Sequence, residues 1–204
     1  TETVALTAGG HTFGKAHGAS SEDYKGTEPE GADIGEQGFG WTSSYKSGKG
    51  VDAITSGIEG PWTTNPIQWD MDYLSLLFKY EWECKKSPAG AWQWHPINCE
   101  EEDMVPQVDG SNGKVLPMMT TADMSMKVDP KYNKICKYFI ENPDAFGEAF
   151  AKAWFKLLHR DIGPKSNYIA GDYKDVNYIW QDPIVPTPQM SSEKEAAVRA
   201  AIAK

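Results

Sequence analysis

The stretch VALTAGGHTFGKAHG, residues 4–18, places a histidine among apolar and small residues near the start of the chain. Val4, Ala8 and His11 recur at i, i+4 and i+7, which is the spacing of one face of an α-helix. The pattern therefore predicts a helix over residues 1–16, with His11 on its apolar face.

Two glycines directly before that histidine weaken the predicted helix. Gly9 and Gly10 each cost about 1 kcal/mol relative to alanine in a helix interior. Because helical side chains lean toward the N-terminus, these small residues leave bare surface beside the His11 ring. A flat ligand held by that ring fits this pattern, and haem on a proximal histidine is one such ligand. The alternative is an ordinary core histidine with its hydrogen bonds satisfied.

Length and charge restrict the class of protein. The 204-residue chain is long enough for a domain with a hydrophobic core, and 40% of its residues are hydrophobic. Its formal net charge of −9 argues against nucleic acid as a partner, because a phosphate-binding surface is basic. No apolar run approaches the ~18 residues of a membrane-spanning helix, so no membrane is expected. The chain begins with Thr1, so we expect a fragment; a cytoplasmic location is favoured, with secretion as the alternative.

Cys84, Cys99 and Cys136 are the only cysteines, and their spacing contains no CxxC pair. A zinc site is therefore not expected, and three free thiols are the favoured interpretation. A Cys84–Cys99 disulfide across a hairpin is the alternative if the protein is secreted.

Capping and apolar residues predict a mainly α fold. From Thr120 the chain is expected to be helical again, with Asp123 as the cap of a short helix through Val128. Helices are also expected after Asn65-Pro66, after Asp129-Pro130 and Asn142-Pro143, and after a Ser192–Glu195 capping box. Inward positions at helical spacing are Ile67, Met71, Leu74, Leu77 and Phe78, then Tyr132, Ile135, Cys136, Phe139 and Ile140, then Phe146, Phe150, Ala153, Trp154, Leu157 and Leu158. One small β-hairpin is expected over 79–96, with long loops at 18–50, 100–114 and 165–188.

Two residues elsewhere in the chain are candidate partners of His11. Asp123 lies among methionines in MMTTADMSM, and an acid in apolar surroundings suits the second N–H of a ligating histidine. Trp62 lies in the turn EGPWTTNP beside the second predicted helix. The alternatives are a plain helix cap for Asp123 and an aromatic loop anchor for Trp62.

These segments together resemble the bifunctional catalase-peroxidases, a family of the class I haem peroxidases. GGHTFGKAHG, DAITSGIEGPWTTNP and LPMMTTADMSMKVDPKY match the proximal half of the haem domain, and YEWECKKSPAGAWQW, AFAKAWFKLLHRDIGP and IWQDP also match in order. The resemblance covers residues 1–190 and implies part of a haem-peroxidase-like helical domain. Residues 191–204 then begin a linker helix toward an absent C-terminal domain.

The resemblance implies that His11 binds the iron of haem b. Asp123 matches the carboxylate that accepts from His11 Nδ1–H and from the indole of Trp62. Such a pair gives the histidine imidazolate character, which directs electron density onto iron. Trp62 matches an oxidisable site beside the haem.

Other positions are candidates near the haem, with a surface charge as the alternative for Lys15, a helix-terminal histidine for His17 and a helix-end cation for Arg160. Gly10 leaves space beside the ligand, and Ser56 matches a residue near one haem propionate. Lys15 and His17 are expected near the other propionate. Arg160 matches a mobile arginine that modulates catalase turnover.

The implied activity is decomposition of hydrogen peroxide, by catalase turnover and by peroxidase oxidation of small organic donors. The parent protein is expected to be a homo-oligomer. In the family, the distal Arg, Trp and His that split peroxide precede the position of Thr1, so we expect this chain alone to be incompetent. The alternatives are a monofunctional class I peroxidase and an inert or haem-binding truncation product.

Overall fold

The computed structural model describes residues 1–18, 20–37, 41–54, 56–107, 113–161, 163, 165, 168–169, 176–179, 181 and 189–203. These residues form two compact units, Thr1–Trp154 and Phe155–Lys204. The helices are α1 (Glu2–His11), α2 (Asp72–Lys79), α3 (Thr121–Val128), α4 (Pro130–Glu141), α5 (Pro143–His159) and α6 (Ser192–Ile202). The mainly α fold is therefore confirmed.

Three antiparallel strand pairs accompany the helices of the first unit. They are β1 (Lys15–Ala16) with β2 (Gly60–Pro61), β3 (Trp82–Lys86) with β4 (Trp92–Pro96), and β5 (Val105–Pro106) with β6 (Lys114–Val115). The β3–β4 pair confirms the predicted hairpin. Its turn closes at Gly90, which has a positive φ of 84° and donates its N–H to the Ser87 carbonyl. The two shorter pairs were not predicted.

The hydrophobic core of the first unit is built from α1, α2, α3, α4, the start of α5, the first residue of β3 and two residues that flank α2 and α3. Its buried members are Val4, Ala5, Ala8, Tyr73, Leu74, Leu76, Leu77, Tyr80, Trp82, Met119, Met126, Cys136, Phe139 and Phe146. Val4 and Ala8 are fully buried, which confirms the apolar face predicted for α1. His11 follows on the next turn, at the end of that helix.

The first helix is shorter than predicted, because it ends at His11 and not at residue 16. Gly14 adopts a left-handed φ of +70° and donates its N–H to the carbonyl of Pro66 at 2.8 Å. Lys15 and Ala16 then pair as a strand with Gly60–Pro61. The chain therefore leaves the helix directly after the histidine.

The second helix begins at Asp72, so the predicted start at Asn65-Pro66 is wrong. The Asp72 carboxylate accepts from the backbone N–H and the hydroxyl of Thr64, at 2.6 and 2.9 Å. Together with the bond from Gly14 to Pro66, these contacts accompany a turn at residues 66–67 and bends at residues 68 and 70 instead of a helix. Ile67, expected inward, is 90% exposed.

Two predicted caps are displaced. Thr120 is the N-cap of α3, and Asp123 is the third helical residue, which completes a capping box with Thr120. The N-cap of α6 is Ser191, whose hydroxyl accepts from the Lys194 N–H, rather than Ser192. Asp129 caps α4 as predicted.

The helix α5 begins at Pro143 as predicted, but its apolar face is only partly covered. Phe146 and Ala153 are buried, whereas Trp154, Leu157 and Leu158 are each nearly half exposed. The prediction that these three point inward is wrong. Helical spacing shows which residues share a face, but it does not show how far along the helix that face is covered.

The second unit is described only in part. Phe155 stacks on His159 with a centroid distance of 3.9 Å, and every residue of α6 from Ser192 to Ile202 is exposed. Most of the loop predicted over 165–188 lies outside the described residues. The predicted domain boundary at residue 190 stays a prediction.

Cys84, Cys99 and Cys136 are all free thiols, as expected. In the part of the chain that the structure describes, no three or more His, Cys, Asp or Glu side chains come together as ligands for a bare metal ion. Each helix in the described part of the chain is too short or too polar to cross a membrane.

The two glycines of α1 face different surroundings. A Cβ added at Gly9 would lie 2.1 Å from Cδ2 of Phe150, whereas a Cβ at Gly10 would have no atom within 4 Å. Gly9 therefore permits close packing of α1 against the Phe150 ring. The prediction that both glycines leave bare surface is wrong for Gly9; Gly10 does face open space.

This difference predicts opposite effects of two alanine substitutions. Gly10→Ala should stabilise the protein by about 0.5–1 kcal/mol through helix propensity. Gly9→Ala should destabilise it by about 1–2 kcal/mol, because overpacking against Phe150 outweighs the same gain. Urea denaturation of both variants measures the difference. Equal stabilisation by both substitutions would show that Phe150 does not restrict Gly9.

Candidate functional site

A fully buried carboxylate, Asp123, lies at the centre of the site. Five hydrogen bonds converge on it. Its Oδ2 accepts from the backbone N–H of Thr120 at 2.7 Å, from the Thr120 hydroxyl at 2.8 Å and from Trp62 Nε1 at 3.1 Å. Its Oδ1 accepts from His11 Nδ1 at 2.8 Å and from the Tyr73 hydroxyl at 2.6 Å. The capping box of α3 therefore fixes the carboxylate that joins three other segments of the chain.

The two ring nitrogens of His11 have different surroundings. Because an ionised carboxylate only accepts hydrogen bonds, Nδ1 carries the proton that is donated to Asp123. The structure gives Nε2 no hydrogen-bond partner among the described residues, and the side chain is 25% exposed. A neutral imidazole held in this tautomer presents the Nε2 lone pair to a metal.

Two aromatic rings fix the plane of the His11 imidazole. Trp62 stacks on it, with centroids 4.1 Å apart and an interplanar angle of 13°. Tyr73 meets it edge-on, with centroids 5.7 Å apart and an angle of 79°. The ring is therefore held by packing as well as by its hydrogen bond.

The electrostatics of the cluster favour an ionised Asp123. Burial raises the pKa of this carboxyl, but the hydrogen bond and electrostatic attraction of His11, together with the hydrogen bonds from Tyr73 and Thr120, outweigh burial and hold the pKa below its usual value. The pKa of Tyr73 is raised well above its usual value, mainly by burial and then by the charge of Asp123. At neutral pH, Tyr73 is thus a neutral donor to a charged acceptor.

This lowered pKa predicts an acid dependence of stability. The folded-state pKa of Asp123 lies below the unfolded value of 3.8. The contribution of its ionised carboxylate to the free energy of unfolding is therefore complete above pH 3.8 and is lost as the pH falls through the folded pKa. The difference in unfolding free energy between the protein and an Asp123→Ala variant should shrink between about pH 4 and pH 2. Urea denaturation across this range measures it. A difference that stays constant to the lowest pH would contradict the lowered pKa.

Sequence reasoning missed two members of this cluster, Thr120 and Tyr73. Thr120 and Asp123 form a T-x-x-D pattern, which reads as a capping box with an acid at its third position. Tyr73 is 1% exposed, and a buried tyrosine hydroxyl needs a partner. The signal for Tyr73 was its place beside Leu74 and Leu77 on a core helix, but nothing local identified Asp123 as its acceptor.

The remaining predicted residues lie in several places. The Lys15 ammonium pairs with the Glu59 carboxylate, and His17 is half-buried, with its pKa lowered mainly by burial and then by the charge of Lys15. Ser56 is exposed, and its hydroxyl accepts from Ile58 N–H at 3.4 Å. Arg160 is exposed in the second unit, directly after α5. Their roles stay predictions.

The donor set of the first unit fits a haem group. Haem iron needs one protein nitrogen on this side, and His11 presents one, next to the open surface at Gly10. A bare metal ion would need further ligands, which the described residues do not gather.

Comparison with known proteins gives several close relatives. No model of a protein family matches the chain. A catalase-peroxidase of Ruegeria sp. (strain TM1040) is 64% identical over 183 residues, which cover 90% of this chain and 25% of that protein. A catalase-peroxidase of Jannaschia sp. (strain CCS1) is 56% identical over 204 residues, 99% of this chain and 28% of the relative. A catalase-peroxidase of Geobacillus kaustophilus (strain HTA426) is 56% identical over 194 residues, which cover 95% of this chain and 26% of that protein.

These relatives are much longer than the matched region. The chain spans about a quarter of their length.

Proposed function

Because this chain belongs to the catalase-peroxidase family, we propose that it holds haem b through His11 and that the protein carrying it decomposes hydrogen peroxide. The proposed reactions are reduction of peroxide, followed by oxidation of a second peroxide or of a small organic donor. The observation that carries the proposal is the state of His11, with Nδ1 bound to a buried carboxylate and Nε2 without a partner among the described residues.

When bound, haem b supplies the iron that reacts with peroxide. Asp123 holds the Nδ1 proton of His11 and thereby fixes the tautomer in which Nε2 is the basic nitrogen. The negative charge of Asp123 also makes the imidazole a stronger electron donor. The hydrogen bonds from His11, Tyr73 and the Thr120 backbone keep this carboxylate ionised in a buried position.

Besides donating a hydrogen bond to Asp123, Trp62 has a proposed role as an oxidisable side chain. Its indole is stacked on His11 at 4.1 Å, and its N–H is bound to Asp123 at 3.1 Å. A negative charge beside the indole favours loss of an electron from it, because the charge stabilises the resulting cation. These two contacts support the proposal that Trp62 passes an electron toward a group bound at His11.

The other predicted residues complete the proposal. Gly10 would leave room for the macrocycle, while Lys15, His17 and Ser56 would lie toward its propionates. If Lys15 contacts a propionate, its ammonium would be shared between that propionate and Glu59, with which it pairs in the structure. Arg160 would modulate catalase turnover.

Titration with haemin tests the proposal. We expect a Soret band that saturates at about one haem per chain, as a single axial histidine requires, together with peroxide consumption by the loaded protein that carries this sequence. The alternative of an inert product predicts no Soret band. Absence of the band at saturating haemin would overturn the proposal.

A further inference from the structure

One oxygen of Asp123 serves two donors. Oδ1 accepts from His11 Nδ1 at 2.8 Å and from the Tyr73 hydroxyl at 2.6 Å. The tyrosine contact has the short length of an O–H group bound to a charged acceptor. The other three donors all bind Oδ2. Tyr73 is therefore the donor that competes directly with His11 for charge on the same atom.

The position of Tyr73 leaves its hydroxyl with this single strong bond. The residue is 1% exposed on α2, within the core, and its ring packs edge-on against His11. A hydroxyl in this place is shielded from water, so no water molecule competes with Oδ1 for its proton. Removing the hydroxyl while keeping the ring would leave His11 as the sole donor to Oδ1.

We propose that Tyr73 is a positioning residue that limits how strongly Asp123 attracts the Nδ1 proton of His11, and thereby how strongly Nε2 donates electrons to a bound iron. Each hydrogen bond that Oδ1 accepts withdraws negative charge from it. Less charge on Oδ1 means a weaker bond to Nδ1–H and a less basic imidazole. This inference rests on the proposed haem site.

The reduction potential of the bound iron measures this effect. With the haem-loaded protein that carries this sequence, Tyr73→Phe should shift the iron(III)/iron(II) equilibrium toward iron(III). We expect a shift of about tenfold, which is ~59 mV to lower potential for a one-electron couple. The ferrous iron–histidine stretching band should move to higher frequency in the same variant.

Tyr80→Phe is a matched control. Its hydroxyl also donates to a carboxylate, that of Asp103, and it also belongs to the core cluster. Asp103 forms no hydrogen bond with His11, so the Tyr80→Phe potential should equal that of the parent protein. If both variants shift the potential equally, or neither does, the inference is wrong and Tyr73 has a packing role only.

Failure of the inference and failure of the proposed function give different results. Without a Soret band in the parent protein, the haem site itself fails. With a normal band and an unchanged Tyr73→Phe potential, only the role of Tyr73 fails. If Tyr73→Phe does not fold, 3-fluorotyrosine at position 73 replaces it as the test. This stronger donor should raise the potential, and an unchanged or lower potential would contradict the inference.

Discussion

A His11→Gly variant is expected to bind haem at least about 100-fold more weakly than the parent protein. Changes to residues that only orient a metal ligand typically weaken metal binding by ~10–100-fold, so loss of the ligand itself should reach or exceed that range. Haemin titration followed at the Soret band measures the loss.

Two further measurements make this prediction specific. Added imidazole should restore the Soret band of His11→Gly, because the free ring can occupy the space beside Trp62 and bond to Asp123. His159→Ala is the control, since this histidine stacks on Phe155 in the second unit, and it should bind haem normally. If His11→Gly binds haem as tightly as the parent protein, His11 is not the ligand.

An Asp123→Ala variant is expected to lose about 3–5 kcal/mol of unfolding free energy at neutral pH. Buried donors that lose their acceptor cost about 1–3 kcal/mol each, and this substitution strands the donors of Tyr73, Trp62 and His11 together. Removing one partner of a buried charged cluster has an effect of the same size. Urea denaturation of the haem-free protein measures the change.

Asp129→Ala provides the control for helix capping. Asp129 caps α4 with an exposed carboxylate that accepts from the N–H groups of Lys131 and Tyr132. Its loss should cost about 1 kcal/mol, as is usual for a helix cap. If Asp123→Ala costs no more than Asp129→Ala, then Asp123 acts as an ordinary helix-terminal residue and the buried cluster adds nothing.

The helices with strong local signals were predictable, and the boundaries set by distant contacts were not. Asp129-Pro130 starts α4 as expected, because the capping carboxylate and the proline act within one turn. Asn142-Pro143 also precedes a helix as expected, but the Asn142 amide donates to the Tyr138 carbonyl of α4 at 2.9 Å, so the proline is the local signal that acts there. Asn65-Pro66 carries the same signal but starts no helix. There the chain is held by Gly14 from one side and by the Asp72 carboxylate from the other.

The contacts of the site were predictable only in part. The resemblance to haem peroxidases gave the bonds of Asp123 with His11 and Trp62, and the structure contains both. Tyr73 lies 50 residues from Asp123 in sequence, so neither periodicity nor a local motif links the two. The roles of Gly9 and Gly10 also differ through a distant residue, because Phe150 covers one and not the other.

The iron–histidine stretching band of the ferrous, haem-loaded protein tests the central claim most directly. The claim is that iron binds Nε2 of a histidine whose Nδ1 proton is held by Asp123. It predicts a band in the parent protein, a lower frequency in Asp123→Asn, because a neutral amide oxygen accepts more weakly than a carboxylate, and no band in His11→Gly. An unchanged frequency in Asp123→Asn, or a band that persists in His11→Gly, would contradict it.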